Sequence, residues 1–204
     1  MKTRFIYFDL GKVILDFDHA IGCRNVAEHC GVSPNAVHAA LFDSGLEVRF
    51  ETGEFTPEAF CELFFEAVGG RCQPEQLLEG MSDIFTPNLE IFPLIEQLHQ
   101  QQFPIGILSN TCHAHWSWVK RHFSIIGECF STRILSYEEK SMKPDHRIFQ
   151  AAIAASGCEP GEIFFMDDRP DNVEGALAAG LDAVIYTSVG ELRDEISRRQ
   201  IFDS

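Results

Sequence analysis

The chain carries short, fully apolar runs that each end abruptly on polar residues. The first is Phe5-Ile6-Tyr7-Phe8, ending on Asp9-Leu10-Gly11. Three more lie far downstream: Pro104 to Leu108, ending on Ser109-Asn110; Ile163 to Met166, ending on Asp167-Asp168; and Ala183 to Tyr186. Continuous β-prone runs of this length are what strands buried on both faces look like, and each is followed by a helical pattern. Strand-then-helix alternation predicts an α/β fold: a doubly wound parallel sheet with helices on both faces.

Residues 19–86 follow another pattern, with helix signals and no convincing strand. Ser33-Pro34 and Thr56-Pro57 each read as an N-cap followed by Pro at the first helical position. Gly31 and Gly69-Gly70 read as helix stops. Between them, Ala59, Phe60, Leu63, Phe64, Ala67 and Val68 fall on one helical face. A helical block is therefore expected between the first strand and the rest of the sheet.

Composition narrows the function more than the fold. Of 204 residues, 45% are hydrophobic and 23% charged, which is ordinary for a globular chain long enough to bury a core without staples. Sixteen Lys and Arg against thirty-one Asp and Glu leave a formal charge of −15. That balance argues against nucleic acid and against an anionic membrane surface. No apolar run approaches the roughly 18 residues of a spanning helix. Asp9 breaks the N-terminal apolar stretch and no small-residue cleavage site follows, so no signal peptide is expected and a cytoplasmic location is. The seven Cys are scattered with no CxxC pair, and read as free, mostly buried thiols in a reducing compartment.

The candidate chemistry lies where the strands end. In open parallel sheets ligands bind beyond the carboxyl ends of the strands. Asp9, Ser109-Asn110 and Asp167-Asp168 should therefore meet at one crevice. Lys143 precedes Pro144, which keeps it out of helical geometry just before a helix, on the same rim. Facing carboxylates need a counter-charge. An oxygen-only donor set dominated by Asp suits Mg²⁺ rather than Zn²⁺. With a Lys and a Ser hydroxyl added, the parts are those that hold a phosphoryl group, with Asp9 available as the nucleophile.

These residues also carry a resemblance. The series Phe8-Asp9-Leu10-Gly11-Lys12-Val13-Ile14, Leu108-Ser109-Asn110-Thr111, Met142-Lys143-Pro144-Asp145 and Phe165-Met166-Asp167-Asp168, continuing to Asn172-Val173-Glu174-Gly175-Ala176, resembles the four motifs of the haloacid dehalogenase superfamily in order and spacing. It looks most like bacterial sugar-phosphate phosphatases whose first motif reads Asp-Leu-Gly. Gly53 to Phe60 looks like their cap segment. The resemblance implies a Rossmann-like core over residues 1–15 and 88–204, and a helical C1 cap over 16–87. It implies that Asp9 attacks phosphorus and that Ser109 and Asn110 hold the transferring group. Lys143 would neutralise the phosphate and orient Asp9. Asp9, the Gly11 carbonyl, Asp167 and Asp168 would hold Mg²⁺, and Asn172 would brace the loop. The substrate implied is a small phosphorylated metabolite.

One position departs from the wider family. Many of its phosphatases carry a second Asp, two residues after the nucleophile, as general acid and base; here that position is Gly11. Such help is worth about 10² to 10⁴ in rate. Asp16, Asp18, His19 or water are the stand-ins considered, against a reading of Asp16 and Asp18 as hinge and cap residues. Cys112, His113, His115 and His122 form no tetrahedral metal set and read as a helix surface near the pocket rim. Trp116 and Trp118 read as packing residues, with Trp116 a candidate for stacking on a sugar. The competing functions are a metal-free dehalogenase, which the Asp167-Asp168 pair argues against, a binding module motivated by Gly11, and a phosphotransferase.

Overall fold

A computed structural model describes residues 2–202. Its centre is a five-stranded parallel sheet in the order β5-β4-β1-β6-β7. The strands are β1 (Phe5–Phe8), β4 (Ile105–Ser109), β5 (Thr132–Leu135), β6 (Ile163–Asp167) and β7 (Asp182–Ile185). The apolar runs predict β1, β4, β6 and β7. They do not predict β5, whose Thr132 and Arg133 sit partly exposed at the sheet edge and so lack the continuous apolar signature. A two-stranded antiparallel ribbon, β2 (Leu15–Phe17) with β3 (Phe85–Pro87), lies where the chain leaves and re-enters the sheet region. Strand β3 also corrects the expectation that residues 19–86 hold helix alone.

Successive strand residues serve opposite layers, as the two-residue period requires. Ile6, Phe8, Phe164 and Met166 pack in one cluster. Its helices are α6 (Phe92–Gln100), α7 (His113–His122), α8 (Ser124–Cys129) and α12 (Val189–Arg198). Phe5, Tyr7, Ile163 and Phe165 pack in another, beneath α10 (His146–Ser156) and α11 (Pro170–Ala178). Both faces are covered, which is why the strands read as unbroken apolar runs. Short α9 (Ser136–Glu139) follows β5.

The helical block comprises α1 (His19–Cys30), α2 (Pro34–His38), α3 (Leu46–Glu51), α4 (Pro57–Val68) and α5 (Pro74–Ser82), with a π-helical stretch over Ala39–Asp43. Ser33 and Thr56 cap α2 and α4 through their side chains, and Gly31 and Gly69 end α1 and α4 in left-handed geometry. The block has its own core of Val26, Leu41, Phe50, Phe60, Phe64 and Leu77, into which Cys112 and Ala114 of the sheet region insert. Cys30 and Cys72 form a disulfide within the block. This corrects the reading of seven free thiols: the end of α1 and the approach to α5 are brought together by helix packing that spacing cannot reveal. Cys23, Cys61, Cys112, Cys129 and Cys158 are free. Among the described residues no helix is long and apolar enough to cross a membrane. Residues 1, 203 and 204, the outer ends of the expected core spans, lie outside the described residues.

Candidate active site

Four elements deliver the polar residues to one place. Strand β1 ends at Asp9, β4 at Ser109, β6 at Asp167, and Lys143 sits on the loop that leads to α10. Lys143 is buried, and its ammonium lies 2.8 Å from Asp9 Oδ1 and 2.6 Å from Asp167 Oδ2. It also donates to the Leu108 carbonyl at 2.9 Å. All three of its protons thus have acceptors, as a fully buried ammonium requires.

Asp167 is fully buried and held from every side. Besides Lys143, the Asn172 amide reaches its two oxygens at 3.0 Å each, and the Arg169 N–H donates at 2.9 Å. Asn172 lies on the first turn of α11. The same helix brings Gly175 against Pro144, where an added Cβ would lie 2.9 Å from the proline Cβ and carbonyl oxygen. The Asn-x-x-Gly spacing thus serves two purposes, a brace for Asp167 and a close seat for α11 on the Lys143 loop. Asn110 fixes that loop from the other end: its amide donates to the Lys143 carbonyl at 2.9 Å and its oxygen accepts the Lys143 N–H at 2.8 Å. The Ser109 hydroxyl donates to the Asn110 carbonyl at 3.3 Å.

The electrostatics follow from burial. Asp9 accepts from the Leu10 N–H at 2.7 Å. Burial raises its carboxyl; Lys143 opposes that and Asp167 adds to it, leaving it at about 7. Burial works against the charge on Lys143, but Asp9 and Asp167 outweigh it and hold the ammonium above the ordinary lysine range. Asp168 is half-buried and shifted upward, by burial first and then by Asp167. Oxygens of Asp9, Asp167 and Asp168 lie within 4.8 Å of one another. Three carboxylates around one ammonium leave an excess of negative charge in a buried place, and an all-oxygen donor set of this kind fits a hard divalent cation.

Asp9, Gly11, Asn110, Lys143, Asp168 and Asn172 line a cavity of about 300 Å³. The rest of its lining comes partly from the helical block, through His19, Glu47 and Glu51. Sequence reading did not single out the two glutamates. Their signal was present as a like-charged pair four apart on α3, one helical turn, which is unfavourable unless something uses it. The proposed stand-ins near Gly11 separate. Asp18 caps α1 by accepting from Ala20 N at 2.8 Å, and Asp16 lies exposed beside Lys12 at 3.5 Å. His19 alone reaches the cavity.

His115 corrects the expectation of a helix surface. It is buried, its Nε2 is 3.2 Å from the Met81 carbonyl, and burial pulls it down to about 4, so it is neutral. Helix α7 runs between the sheet region and the helical block, so both its faces are covered. Cys112 is buried likewise, and its thiol is pushed up by that burial. His113 remains exposed. Trp116 and Trp118 both lie in the core beneath the sheet, which removes Trp116 as a sugar platform.

Known proteins resemble this chain in sequence and in fold. A profile of the haloacid dehalogenase-like hydrolases matches residues 57–180, more than half of the chain. Acyl-CoA dehydrogenase family member 10 of Mus musculus is 25% identical over 189 residues, 89% of this chain and 18% of that protein. A phosphatase of Mycobacterium tuberculosis is 27% identical over 106 residues, 52% of this chain and 49% of that protein. The chain thus spans half or less of each of these two relatives. Among solved structures, a HAD family enzyme from Bacteroides thetaiotaomicron, crystallised with magnesium and inorganic phosphate, superposes with a TM-score of 0.82 at 24% identity, over 93% of this chain and 98% of that one. At that identity the likeness speaks for the fold. With the profile covering most of the sheet and the four motifs converging on one cavity, the chain belongs to the haloacid dehalogenase-like hydrolases.

Proposed function

We propose that this hydrolase is a phosphomonoesterase acting on a small phosphorylated metabolite, with Asp9 as nucleophile and Mg²⁺ as cofactor. The observation that carries the reading is the Lys143 ammonium held between Asp9 and Asp167, with Asp168 beside them. That set has a nucleophile, a fixed cation and an unbalanced negative charge, and nothing in sheet packing demands all of them. The phosphatase relative and the magnesium–phosphate complex of the structural neighbour support it.

Asp9, the Gly11 carbonyl, Asp167 and Asp168 would hold the cation, which when bound screens the phosphoryl charge from the attacking carboxylate. The remaining roles belong to the chain. Asp9 attacks phosphorus and forms an aspartyl-phosphate. Lys143 orients Asp9 and neutralises the phosphoryl oxygens. Ser109, Asn110 and Thr111 lead into the N-terminus of α7, where the Ser109 hydroxyl and the positive end of the helix dipole suit a phosphoryl group. Asp167 and Asn172 hold the frame. Residues 16–87 act as a cap over this floor, hinged at the β2–β3 ribbon, so that closure excludes water from Asp9.

The test is hydrolysis of an aryl phosphate with Mg²⁺ and with chelator, by the wild type and by Asp9→Asn. Turnover lost with chelator, and lowered at least about 10⁴-fold in the variant, is expected. Turnover that survives Asp9→Asn contradicts the reading.

A further inference from the structure

Gly11 leaves the leaving-group proton without an owner, and Phe17 crowds the space beside it. A Cβ added at Gly11 would lie 2.8 Å from Phe17 Cε1. The ring occupies the space into which a side chain at position 11 would project. The proton-transfer group has to enter from another direction, and the helical block lines the rest of the cavity.

Glu51 and Glu47 come from that block. Glu51 lines the cavity together with Asp9, Lys143 and Asp168. It also lines an adjoining smaller chamber with Gly11, Ser109 and Thr111. Glu47, one turn earlier on α3, is 7% exposed, and its one ion-pair contact among the described residues is His19 Nδ1 at 3.7 Å. Oxygens of Glu47 and Glu51 and a nitrogen of His115 lie within 4.8 Å of one another. His115 is neutral, so the two carboxyls have no full positive charge at that distance.

The core also grips Glu51 directly. The buried Ser136 hydroxyl donates to the Glu51 carbonyl at 2.6 Å and accepts from Thr111 N at 2.9 Å. Thr52 Oγ1 contacts Met142 Sδ at 3.1 Å, and the Lys140 ammonium bonds the Gly53 carbonyl. Gly53 sits at φ +69° with a Cβ position 2.2 Å from the Tyr137 carbonyl, so only glycine allows this docking. The segment that carries Glu51 is therefore pinned to the loop that carries Lys143 and to the loop that carries Ser109.

Resting on the phosphatase reading above, we propose that Glu51, backed by Glu47, is the catalytic general acid and base of this chain, in place of the residue missing at position 11. Asp9 attacks phosphorus while the bond from phosphorus to the leaving oxygen breaks. The electron pair goes to that oxygen, and the Glu51 carboxyl gives it a proton, releasing the alcohol. The Glu51 carboxylate then takes a proton from water as the water oxygen bonds phosphorus. The phosphorus–Asp9 bond breaks, phosphate leaves, and both carboxyl groups return to their starting states. The protonation required is in keeping with the site. Burial and then the neighbouring Glu51 carboxylate raise Glu47 to about 9; burial raises Glu51 to about 7 against the pull of Lys143 and Arg169. A like-charged pair of this kind, Glu47 buried and Glu51 half-buried, retains a proton near neutrality. Of the two, Glu51 is the one on which Lys143 acts, which places it nearer the phosphoryl end.

The experiment compares kcat/KM for a nitrophenyl phosphate with that for an alkyl phosphate, in the wild type and in Glu51→Gln. An acidic phenol leaves without a proton and an alcohol does not. Glu51→Gln should lower kcat/KM for the alkyl ester by about 10² to 10⁴, and by at least about tenfold more than it lowers kcat/KM for the aryl ester. Equal losses on both esters, or no loss on the alkyl ester, overturn the assignment. A far-UV circular dichroism spectrum and an unfolding transition matching the wild type establish that the variant folds. Should the variant fail to fold, the wild type decides: a shallow dependence of kcat/KM on leaving-group acidity is expected, and a steep one overturns the assignment. A wild type that hydrolyses neither ester contradicts the phosphatase reading itself, and this inference falls with it.

Discussion

The floor of the cavity and its roof hold their carboxylates in opposite ways. On the floor, Asp167 is met by Lys143, by Asn172 and by a backbone N–H, and Asp9 shares the same ammonium. On the roof, Glu47 and Glu51 lie one helical turn apart with a neutral His115 beside them. The floor is organised in advance, since its charges are fixed before any substrate arrives. The roof is left under-compensated, and its carboxyls hold protons that ordinary glutamates would lose. Under the proposed function the contrast separates two tasks: the floor would supply the nucleophile and positive charge for phosphorus, and the roof the proton for the leaving group.

Breaking the floor should have the largest effect. Lys143→Met removes the one ammonium shared by Asp9 and Asp167. Breaking a buried pair from one side typically costs about 3–5 kcal/mol, because the remaining charges stay buried. Denaturant unfolding in chelator should show a loss of that size, and aryl phosphate hydrolysis should vanish with it. A Lys143→Met chain as stable as the wild type would mean that the floor carboxylates are compensated by something else.

The roof should respond with the opposite sign. The Glu47 carboxyl is raised in the fold, to about 9, above its unfolded value of 4.5. The neutral form is therefore favoured in the fold, and stability is lost as pH rises from the unfolded value toward the folded one. Glu47→Gln cannot ionise, so it escapes that loss. It should lie close to the wild type near pH 4.5 and exceed it at pH 8 by up to about 5 kcal/mol, since each tenfold difference in proton affinity between fold and unfolded chain is worth about 1.4 kcal/mol. Glu51, His19 and His115 face Glu47 and titrate in both chains, and because Glu51 acts on Glu47 the difference between the two curves reports the Glu47–Glu51 pair. A variant less stable than the wild type at pH 8 would show that the Glu47 charge is compensated after all.

The same contrast explains what could be read from the sequence. Asp9, Ser109 and Asp167 sit at the ends of strands buried on both faces, so an apolar run followed by a polar residue marks each one without knowledge of the fold. Lys143 is marked by the Pro that follows it. Strand β5 lies at the sheet edge with Arg133 partly exposed, and loses the pattern. Glu47 and Glu51 leave only their like-charged spacing as a mark, and for a different reason. A glutamate on a short amphipathic helix reads as solvated, and only the folding of the helical block over the sheet turns these two inward. His115 reads as exposed because α7 alone gives no sign that both its faces are covered. Cys30 and Cys72, separated by 42 residues, meet only through the packing of α1 beside α5. Local pattern reports what the sheet buries; it does not report what a second layer later covers.

The division of labour between floor and roof can be tested in one measurement. The chain is acid-quenched during turnover of an aryl phosphate with Mg²⁺, and the peptide holding Asp9 is examined by mass spectrometry for a base-labile phosphoryl group. That group is expected on Asp9 in the wild type and absent in Asp9→Asn. A larger steady-state amount is expected in Glu51→Gln, where the acylphosphate still forms but has lost its base for hydrolysis. Turnover with no phosphoryl group on Asp9 in Glu51→Gln, where it should accumulate, would contradict that division.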